Sequence, residues 1–399
     1  MSEPSASPGS SRSYRQTFQR SVDDREGFWL EAAKLVDWVV EPTTALDSSD
    51  APLYRWFAGA ELNTCFNALD RHVLAGRGET TALIYDSPVV GKKKTYSYAT
   101  LLDKVARFAG VLGDAGVAKG DRVIIYMPMM PQAIVAMLAC ARLGAVHSVV
   151  FGGFAAKELA ARIDDAAPVA IVTATGGIEP NRVVEYLPTI SAALELSRHS
   201  VDTVIVKNRP EVPGRASDYS TKTTAWWDWD EHSATATPRD PVPVAATDPL
   251  YILYTSGTTG APKGVVRDNG GHAVAMAWSM KNIYGVGRGE VMWTASDVGW
   301  VVGHSYIVYG PLIAGATTVL YEGKPVGTPD AGAFWRVVSD YRVKTLFTAP
   351  TALRAIRKAD PHAALSHQYD LSCLDALFLA GERLDPDTWT WATALLEKP

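Results

Sequence analysis

Cysteine is scarce in this sequence, and no two cysteines stand close together. Among 399 residues there are three, Cys65, Cys140 and Cys373. Zinc sites and dithiol redox motifs usually need two cysteines with two other residues between them. The wide spacing here argues against both. We therefore expect buried, reduced thiols and a protein of the cytoplasm.

The sequence also lacks a long apolar run. Its most apolar stretch, residues 133–154, is interrupted by Arg142, Gly144 and His147. This pattern favours a helix followed by a buried strand over a membrane span, and no membrane partner is expected. Residues 1–13 are rich in serine and proline and have no apolar segment, so they are predicted to form a disordered tail rather than a signal peptide.

Charge of one sign is not concentrated anywhere. The 38 basic and 43 acidic residues give a formal net charge of −5, and the longest basic run is Lys92-Lys93-Lys94. Because the net charge is mild and no long basic run exists, the sequence gives no electrostatic reason to expect a nucleic-acid partner.

From Thr81 onward, apolar strand patterns alternate with helical ones. Such alternation predicts an α/β fold in which helices cover mostly parallel sheets. Strands are predicted at 82–85, 94–98, 122–126, 146–150, 169–172, 203–206, 251–254, 291–294, 317–321, 345–348 and 376–379. Helices are predicted at 98–115, from 131, and at 155–165, 271–283, 329–341, 350–358 and 385–396.

The predicted organisation divides the chain after the tail into four parts. A length of 399 residues exceeds the usual size of one domain, so more than one core is expected. The parts are a helical segment at 14–80, a first α/β subdomain at 81–207, a connector with Trp226, Trp227 and Trp229 at 208–249, and a second α/β subdomain at 250–399. Within the last part, Thr328-Pro329-Asp330 and Ala349-Pro350 predict helix starts with a first-turn proline.

A glycine- and hydroxyl-rich loop follows the predicted strand 251–254. Residues 254–264 have the sequence Tyr-Thr-Ser-Gly-Thr-Thr-Gly-Ala-Pro-Lys-Gly. Glycines let backbone amides approach phosphate oxygens, hydroxyls add donors, and a lysine adds positive charge for a leaving pyrophosphate. It is not a Walker A loop, because Lys263 lies between Pro262 and Gly264 and a strand pattern follows instead of a helix.

This loop resembles the signature loop of the adenylate-forming superfamily. Three other segments resemble its acetyl- and propionyl-CoA synthetase branch, and propionyl-CoA synthetases most closely. They are Phe151-Gly-Gly-Phe154, the run Asp297–Tyr306 that contains Gly-Trp-Val-Val-Gly-His, and Leu379-Ala-Gly-Glu382. The resemblance extends over about residues 14–399. It implies the large N-terminal domain of that superfamily, with two layered αβα subdomains and an incomplete C-terminal end.

The resemblance also implies a reaction and its participants. Members of the branch convert a short carboxylate and ATP, with Mg²⁺, to an acyl-adenylate and pyrophosphate, and then transfer the acyl group to coenzyme A. The residues implied to bind ATP are Thr255, Ser256, Gly257, Thr258, Thr259, Gly260, Lys263, Gly381 and Glu382, with Lys263 and Thr255 as the catalytic residues. The implied acyl pocket comprises Trp300, Val301, Val302 and Ala380, and the implied CoA contacts are Phe151, Gly152, Gly153 and Arg182.

Several of these residues have simpler interpretations. Trp300 could be a core residue, although Gly299 and Gly303 on either side favour a pocket wall. Arg182 could be a solvated helix charge, and the family often has a second arginine where this chain has Glu179. His304 with Asp297 and Ser305 could suggest a hydrolase, but the Gly-x-Ser-x-Gly elbow is absent.

The acyl group is inferred from one small residue and one segment. Acetate-selective relatives carry valine where this chain has Ala380, and one added methylene is worth roughly 1–3 kcal/mol of discrimination. The segment Arg267–His272 also resembles propionate enzymes. Propionate is therefore expected, butyrate would also fit, and acetate is the alternative.

The resemblance implies parts that this sequence does not contain. Family members run to about six hundred residues, and the expected Trp-Trp-Gln-Thr-Glu motif, the ribose-binding aspartate, the Mg²⁺ ligand and the lysine of the small C-terminal domain do not occur before Pro399. We therefore expect little or no turnover from this chain, because the main cation at the α-phosphate is missing. The alternative from another class is a non-catalytic nucleotide-binding module. Apolar surface near Trp389 and Trp391 would favour self-association.

Overall fold

The computed structural model describes residues 14–180, 182–219, 221, 223–255 and 262–396. The chain is an α/β protein built around two large sheets, as predicted. No helix in these residues is long and apolar enough to cross a membrane. Cys65 and Cys140 are free and buried as expected, whereas Cys373 is free but only partly buried.

The first large sheet has seven strands. Its first six strands run parallel, and the last pairs antiparallel with its neighbour. In spatial order the strands are Ala225–Asp228, Thr203–Lys207, Ala170–Ala174, Arg122–Tyr126, Val146–Val149, Pro249–Thr255 and Lys263–Asp268.

The second large sheet has six strands. Five run parallel, and the edge strand pairs antiparallel as the second strand of a hairpin. In spatial order the strands are Ala376–Leu379, Thr345–Thr348, Val291–Thr294, Thr317–Tyr321, Thr81–Ser87 and Lys92–Ser97.

The contiguous subdomain boundaries predicted at 81–207 and 250–399 do not match this strand pairing. The hairpin 81–97 belongs to the six-stranded sheet, where Thr81–Ser87 pairs in parallel with Thr317–Tyr321. Conversely, the strand pair 249–268 completes the seven-stranded sheet. Each sheet thus draws strands from both halves of the chain, because an apolar strand pattern specifies a strand without specifying its distant partner.

Helices cover the two sheets and fill the space around them. Their positions agree with the predicted ones to within a few residues, except at one start. The α-helices are Tyr14–Asp23, Arg25–Ala33, Tyr98–Asp114, Pro131–Leu143, Ala156–Ala166, Leu187–Leu196, Trp229–Thr235, Asn269–Asn282, Val301–Gly303, Gly310–Ala314, Ala333–Tyr341, Pro350–Ala359 and Pro386–Leu396. Wider helical turns occur at Phe66–Asp70, Val73–Arg77 and His304–Tyr309, and 3₁₀ turns at Ala216–Asp218 and Ser366–Gln368.

Three two-stranded ribbons complete the fold. They pair Leu46–Asp47 with Arg55–Trp56, Glu61–Leu62 with Val244–Ala245, and Gly176–Glu179 with Arg182–Glu185. The last of these ribbons lies beside the site described below.

The predicted helix start at Thr328-Pro329-Asp330 is wrong, because the helix begins at Ala333. The Thr328 hydroxyl is already engaged with the Lys324 backbone, accepting from its amide at 2.7 Å and donating to its carbonyl at 2.9 Å. The start at Pro350 is confirmed, and Pro131 also opens its helix.

Part of the predicted connector 208–249 forms regular secondary structure. Trp226 and Trp227 lie in the edge strand of the seven-stranded sheet, and Trp229 opens a helix. The Trp229 ring stacks on Phe108 with 3.6 Å between ring centroids. Two of the three tryptophans are therefore part of the sheet, and the third packs on the helix Tyr98–Asp114.

A buried ion pair joins the two sheets. Arg209 follows a strand of the seven-stranded sheet, and Glu322 follows a strand of the six-stranded sheet. Two guanidinium nitrogens donate to the two Glu322 oxygens at 2.8 and 3.2 Å, and Tyr85 and Ser87 also donate to this carboxylate. These bonds satisfy the buried carboxylate and fix the relation between the two sheets.

Candidate active site

A cleft lies where the carboxyl ends of strands from both sheets meet. Its volume is about 270 Å³. The seven-stranded sheet contributes the loop after Val146–Val149 and the ribbon after Ala170–Ala174, and the six-stranded sheet contributes Asp297 and Lys324. Open α/β sheets bind ligands at the carboxyl ends of their strands, so this is the expected place for a site.

All four residues predicted to contact CoA line this cleft. They are Phe151, Gly152, Gly153 and Arg182. The first three come from one loop, and Arg182 lies about thirty residues further along the chain, on the ribbon. The cleft therefore brings together residues that the sequence could connect only through the family resemblance.

Two tyrosines lie against the loop Phe151–Phe154. The Tyr126 hydroxyl donates to the carbonyl oxygens of Gly152 at 3.1 Å and Phe154 at 2.8 Å. A side chain on Gly152 would bring its Cβ to 2.1 Å from the Tyr186 hydroxyl oxygen. Glycine is required at this position because any larger residue would overlap the tyrosine.

Arg182 is exposed and stands opposite Glu179 in the ribbon. It lies on a strand, so the alternative of a helix charge is wrong, although its exposure agrees with a solvated group. Glu179 forms an ion pair with Lys324 at 3.3 Å. The charges of Glu179 and Lys324 thus offset each other, and Asp297 and Glu322 also line the cleft.

The predicted ATP loop begins and ends on adjacent antiparallel strands. Thr255 and Lys263 are directly opposite in register, and the Thr255 hydroxyl reaches the Lys263 carbonyl at 3.5 Å. A strand follows Lys263, as predicted for a loop that is not of the Walker A type. The Lys263 side chain is exposed and makes no ion pair within the described ranges. The predicted residues Ser256, Gly257, Thr258, Thr259 and Gly260 lie outside the described residues.

Trp300 is not a core residue, because 49% of its surface is exposed. Its ring lies 6.0 Å from that of Phe151, so the predicted acyl wall and the predicted CoA loop are neighbours. Val301 beside it is also exposed. Val302 and Ala380 pack instead against one cluster that contains the buried Phe347.

Gly381 and Glu382 follow the edge strand Ala376–Leu379. Gly381 has a φ of +101°, which favours glycine. The Glu382 carboxylate accepts hydrogen bonds from the Thr351 hydroxyl and from Arg354, the latter at 2.5 Å. The bond from Thr351 lowers the pKa of Glu382 most, and the bond from Arg354 lowers it further. Both partners lie on the helix Pro350–Ala359, and no sequence motif indicated either of them.

Comparison with known proteins supports the family suggested by the motifs. The model of the family described as AMP-binding enzyme matches residues 70–399. The chain belongs to this AMP-binding enzyme family. A second model, of the acetyl-coenzyme A synthetase N-terminus, matches residues 14–68 and identifies the branch.

The relatives of this chain include short-chain acyl-CoA synthetases. It is 53% identical over 98% of its length to the human acyl-CoA synthetase short-chain family member 3, mitochondrial, and covers 57% of that protein. It is 44% identical over 97% of its length to the propionate–CoA ligase of Escherichia coli, and covers 60% of it. Acetoacetyl-CoA synthetase from Streptomyces lividans has the same fold, with a TM-score of 0.86, 28% identity and coverage of 97% of this chain and 58% of that one. The chain thus spans less than two thirds of these proteins.

In this chain His304, Asp297 and Ser305 do not form a triad. His304 is buried, and its Nδ1 is bonded to the Trp300 carbonyl at 3.0 Å, whereas Asp297 accepts from the Gly299 amide at 2.7 Å. Burial lowers the pKa of His304 to about 4, so the ring is uncharged at neutral pH. In the part of the chain that the structure describes, no three His, Cys, Asp or Glu side chains form a metal-binding group.

Proposed function

We propose that this chain is the nucleotide-, acyl- and CoA-binding part of a propionate–CoA ligase. The overall reaction is the conversion of propionate, ATP and CoA to propionyl-CoA, AMP and pyrophosphate through an acyl-adenylate. The observation that carries the proposal is the cleft in which Phe151, Gly152, Gly153 and Arg182 meet, with Trp300 against Phe151.

Of the residues predicted to bind the three substrates, the CoA set lines the cleft, whereas the described ATP and acyl residues lie outside its lining. Bound ATP, with Mg²⁺, supplies the AMP group that activates a carboxylate. Lys263 and Thr255, at adjacent strand ends, would hold phosphate oxygens by charge and by a hydroxyl donor. Gly381 and Glu382 would lie on the adenine side, and Arg182 would attract the phosphates of CoA. Pyrophosphate exchange requires bound ATP and carboxylate but not CoA, so the two half-reactions can be tested separately.

Propionate is proposed as the acyl substrate because Ala380 leaves room that a valine would fill. Ala380 and Val302 pack against one apolar cluster with Phe347, so a bulkier side chain at position 380 would take up space there. The E. coli relative described as propionate–CoA ligase agrees with this choice. Acetate is the alternative substrate.

We further propose that the 399-residue chain alone shows little turnover. It spans 57% and 60% of the two synthetase relatives compared above. A cytoplasmic location is proposed from its reduced thiols, and fractionation of cells would test it.

The test is pyrophosphate exchange with propionate, acetate and butyrate. It should be run on this chain and on a form extended by the C-terminal region that the relatives have. We expect exchange only from the extended form, fastest with propionate. Exchange with acetate as fast as with propionate would make acetate the substrate. Absence of exchange from both forms, with nucleotide binding retained, would favour the non-catalytic module.

A further inference from the structure

Tyr186 lies at the floor of the cleft, beneath two glycines. Only 4% of its surface is exposed, and it lines the cleft together with Gly152 and Gly177. Added Cβ atoms on these glycines would fall 2.1 and 2.6 Å from its hydroxyl oxygen. The hydroxyl is therefore seated between two backbone segments that have no side chains to cover it.

The backbone fixes this position firmly. The Tyr186 amide donates to the Thr175 carbonyl at 3.0 Å, where the ribbon 176–185 closes. Its ring packs against Tyr126 at 4.8 Å between centroids and within the core of the seven-stranded sheet. A side chain held in this way directs its hydroxyl at one point and loses little conformational freedom when it binds a ligand.

The two neighbouring tyrosines use their hydroxyls differently. Tyr126 donates to the loop carbonyls of Gly152 and Phe154. Among the described residues the Tyr186 hydroxyl makes no hydrogen bond, and Tyr186 lines the cleft. Burial raises the pKa of Tyr186, so the hydroxyl remains protonated and available as a donor. A molecule bound in the cleft can therefore accept a hydrogen bond from this hydroxyl.

The surroundings of the hydroxyl suit a ligand that approaches the backbone closely. Gly152, Gly153 and Gly177 present backbone to the cleft, so a ligand group can reach the floor. Arg182 supplies positive charge to the cleft, whereas the charge of Lys324 is paired with Glu179. An anionic molecule with hydrogen-bond acceptors along its length matches this arrangement, and CoA has both features.

We propose that the Tyr186 hydroxyl donates a hydrogen bond to CoA and contributes to the selection of CoA over other thiols. Tyr126 acts as a positioning residue, because it holds the loop Phe151–Phe154 over Tyr186 without reaching the ligand. This inference rests on the proposed function, since it takes the cleft to be the CoA site. It adds a contact that the family motifs do not include.

The test is Tyr186→Phe in the form extended by the C-terminal region of the relatives. The change removes one donor and keeps the ring that fills the core. We expect the KM for CoA to rise about 10-fold with kcat nearly unchanged, the effect of losing one hydrogen bond that binds the substrate and the transition state equally. Pyrophosphate exchange, which involves no CoA, should stay within about two-fold of the wild type. Comparing CoA with pantetheine then shows which end of the molecule accepts the bond.

Tyr219→Phe is the matched control. Tyr219 stacks on Trp226 at 5.1 Å and does not line the cleft, so its KM for CoA should match that of the wild type. Equal CoA constants for Tyr186→Phe and the wild type would overturn the proposal. So would an equal loss of pyrophosphate exchange and CoA use, because that result indicates a purely structural role.

A binding measurement separates this inference from the proposed function. If the wild type shows no exchange, CoA is titrated calorimetrically into the 399-residue chain and its Tyr186→Phe variant. Binding that the variant weakens would support Tyr186 as a CoA contact even if the reaction is different. Absent binding, or equal binding by both proteins, would reject it.

Discussion

The ring of Phe151 lies 6.0 Å from the ring of Trp300, and the two residues come from loops of different sheets. Phe151 follows a strand of the seven-stranded sheet, and Trp300 follows one of the six-stranded sheet. The contact places the proposed CoA loop directly against the proposed acyl wall. A thiol and an acyl group bound on these two elements would be neighbours, as thioester formation requires.

Substitution of Gly152 should damage CoA binding specifically. A methyl group there would fall 2.1 Å from the Tyr186 hydroxyl oxygen, so Gly152→Ala must displace the loop. We expect affinity for CoA to fall about 10- to 100-fold, since a shift of about 1 Å can have effects of this size. Calorimetric titration of CoA measures the loss. Adding Tyr186→Phe to Gly152→Ala should relieve only the closest contact, the one with the hydroxyl oxygen. Full affinity for CoA in Gly152→Ala would show that the loop does not define the site.

The buried pair of Arg209 and Glu322 should be important for stability. Their side chains are 4% and 7% exposed, so removal of one leaves an uncompensated buried charge. We expect Arg209→Met to lower the free energy of unfolding by about 3–5 kcal/mol. Urea unfolding followed by circular dichroism measures it. The double variant Arg209→Met, Glu322→Leu should recover most of the loss, and a double variant as unstable as the single one would contradict this account.

Asp268 should destabilise the protein near neutral pH. Burial raises its pKa to about 6, above the usual value of 3.8 for an aspartate. The folded state therefore holds the proton more tightly than the unfolded chain, so this contribution to stability is present below about pH 4 and is lost as the pH rises to about 6. Asp268→Asn keeps the cap on the His272 amide without the charge. It should gain about 2–3 kcal/mol at pH 7.5 and almost nothing at pH 4, measured by urea unfolding. An equal gain at both pH values would show that charge is not the cause.

Ala380 should determine the size of the acyl group. Ala380→Val adds bulk to the cluster around Phe347, and we expect it to favour acetate over propionate by about 10-fold or more in kcat/KM. The measurement uses the extended form with each carboxylate. Ala392→Val, on the helix Pro386–Leu396 and outside that cluster, is a matched control for the added bulk. An unchanged preference in Ala380→Val would remove Ala380 from the pocket.

Self-association should depend on Trp389. This residue is 55% exposed, whereas Trp391 is partly buried and its indole donates to the Pro361 carbonyl at 3.0 Å. We propose that Trp389 contributes an apolar contact between copies of the chain. Light scattering during size-exclusion chromatography should show a larger mass for the wild type than for Trp389→Ser at high concentration. Monomers from both proteins would reject the contact.

Local patterns were sufficient to predict most of the secondary structure. The strands 291–294, 317–321, 345–348 and 376–379 match the prediction residue for residue, because each is a short apolar run between turn residues. The pattern did not show that Thr81–Ser87 would pair with Thr317–Tyr321, since pairing over this separation depends on tertiary packing. The cap at Thr328 was mispredicted for a similar reason, as its hydroxyl is used by Lys324.

The site was predictable only where a motif marked it. The family resemblance identified Phe151, Gly152, Gly153 and Arg182, which the structure brings into one cleft. It did not identify Tyr126 or Tyr186, which act on a loop distant from them in sequence. Nor did it identify Thr351 and Arg354, which hold Glu382 across two elements. Contacts of this kind leave no periodic or compositional signal in the sequence.

The most direct measurement of the central claim is product analysis of the complete reaction. The extended form is incubated with propionate, ATP, Mg²⁺ and CoA, and the thioester and nucleotide products are measured by mass spectrometry. The account predicts propionyl-CoA and AMP in equal amounts, with both products greatly reduced in Lys263→Ala. Formation of ADP in place of AMP, or the absence of any acyl-CoA, would contradict it.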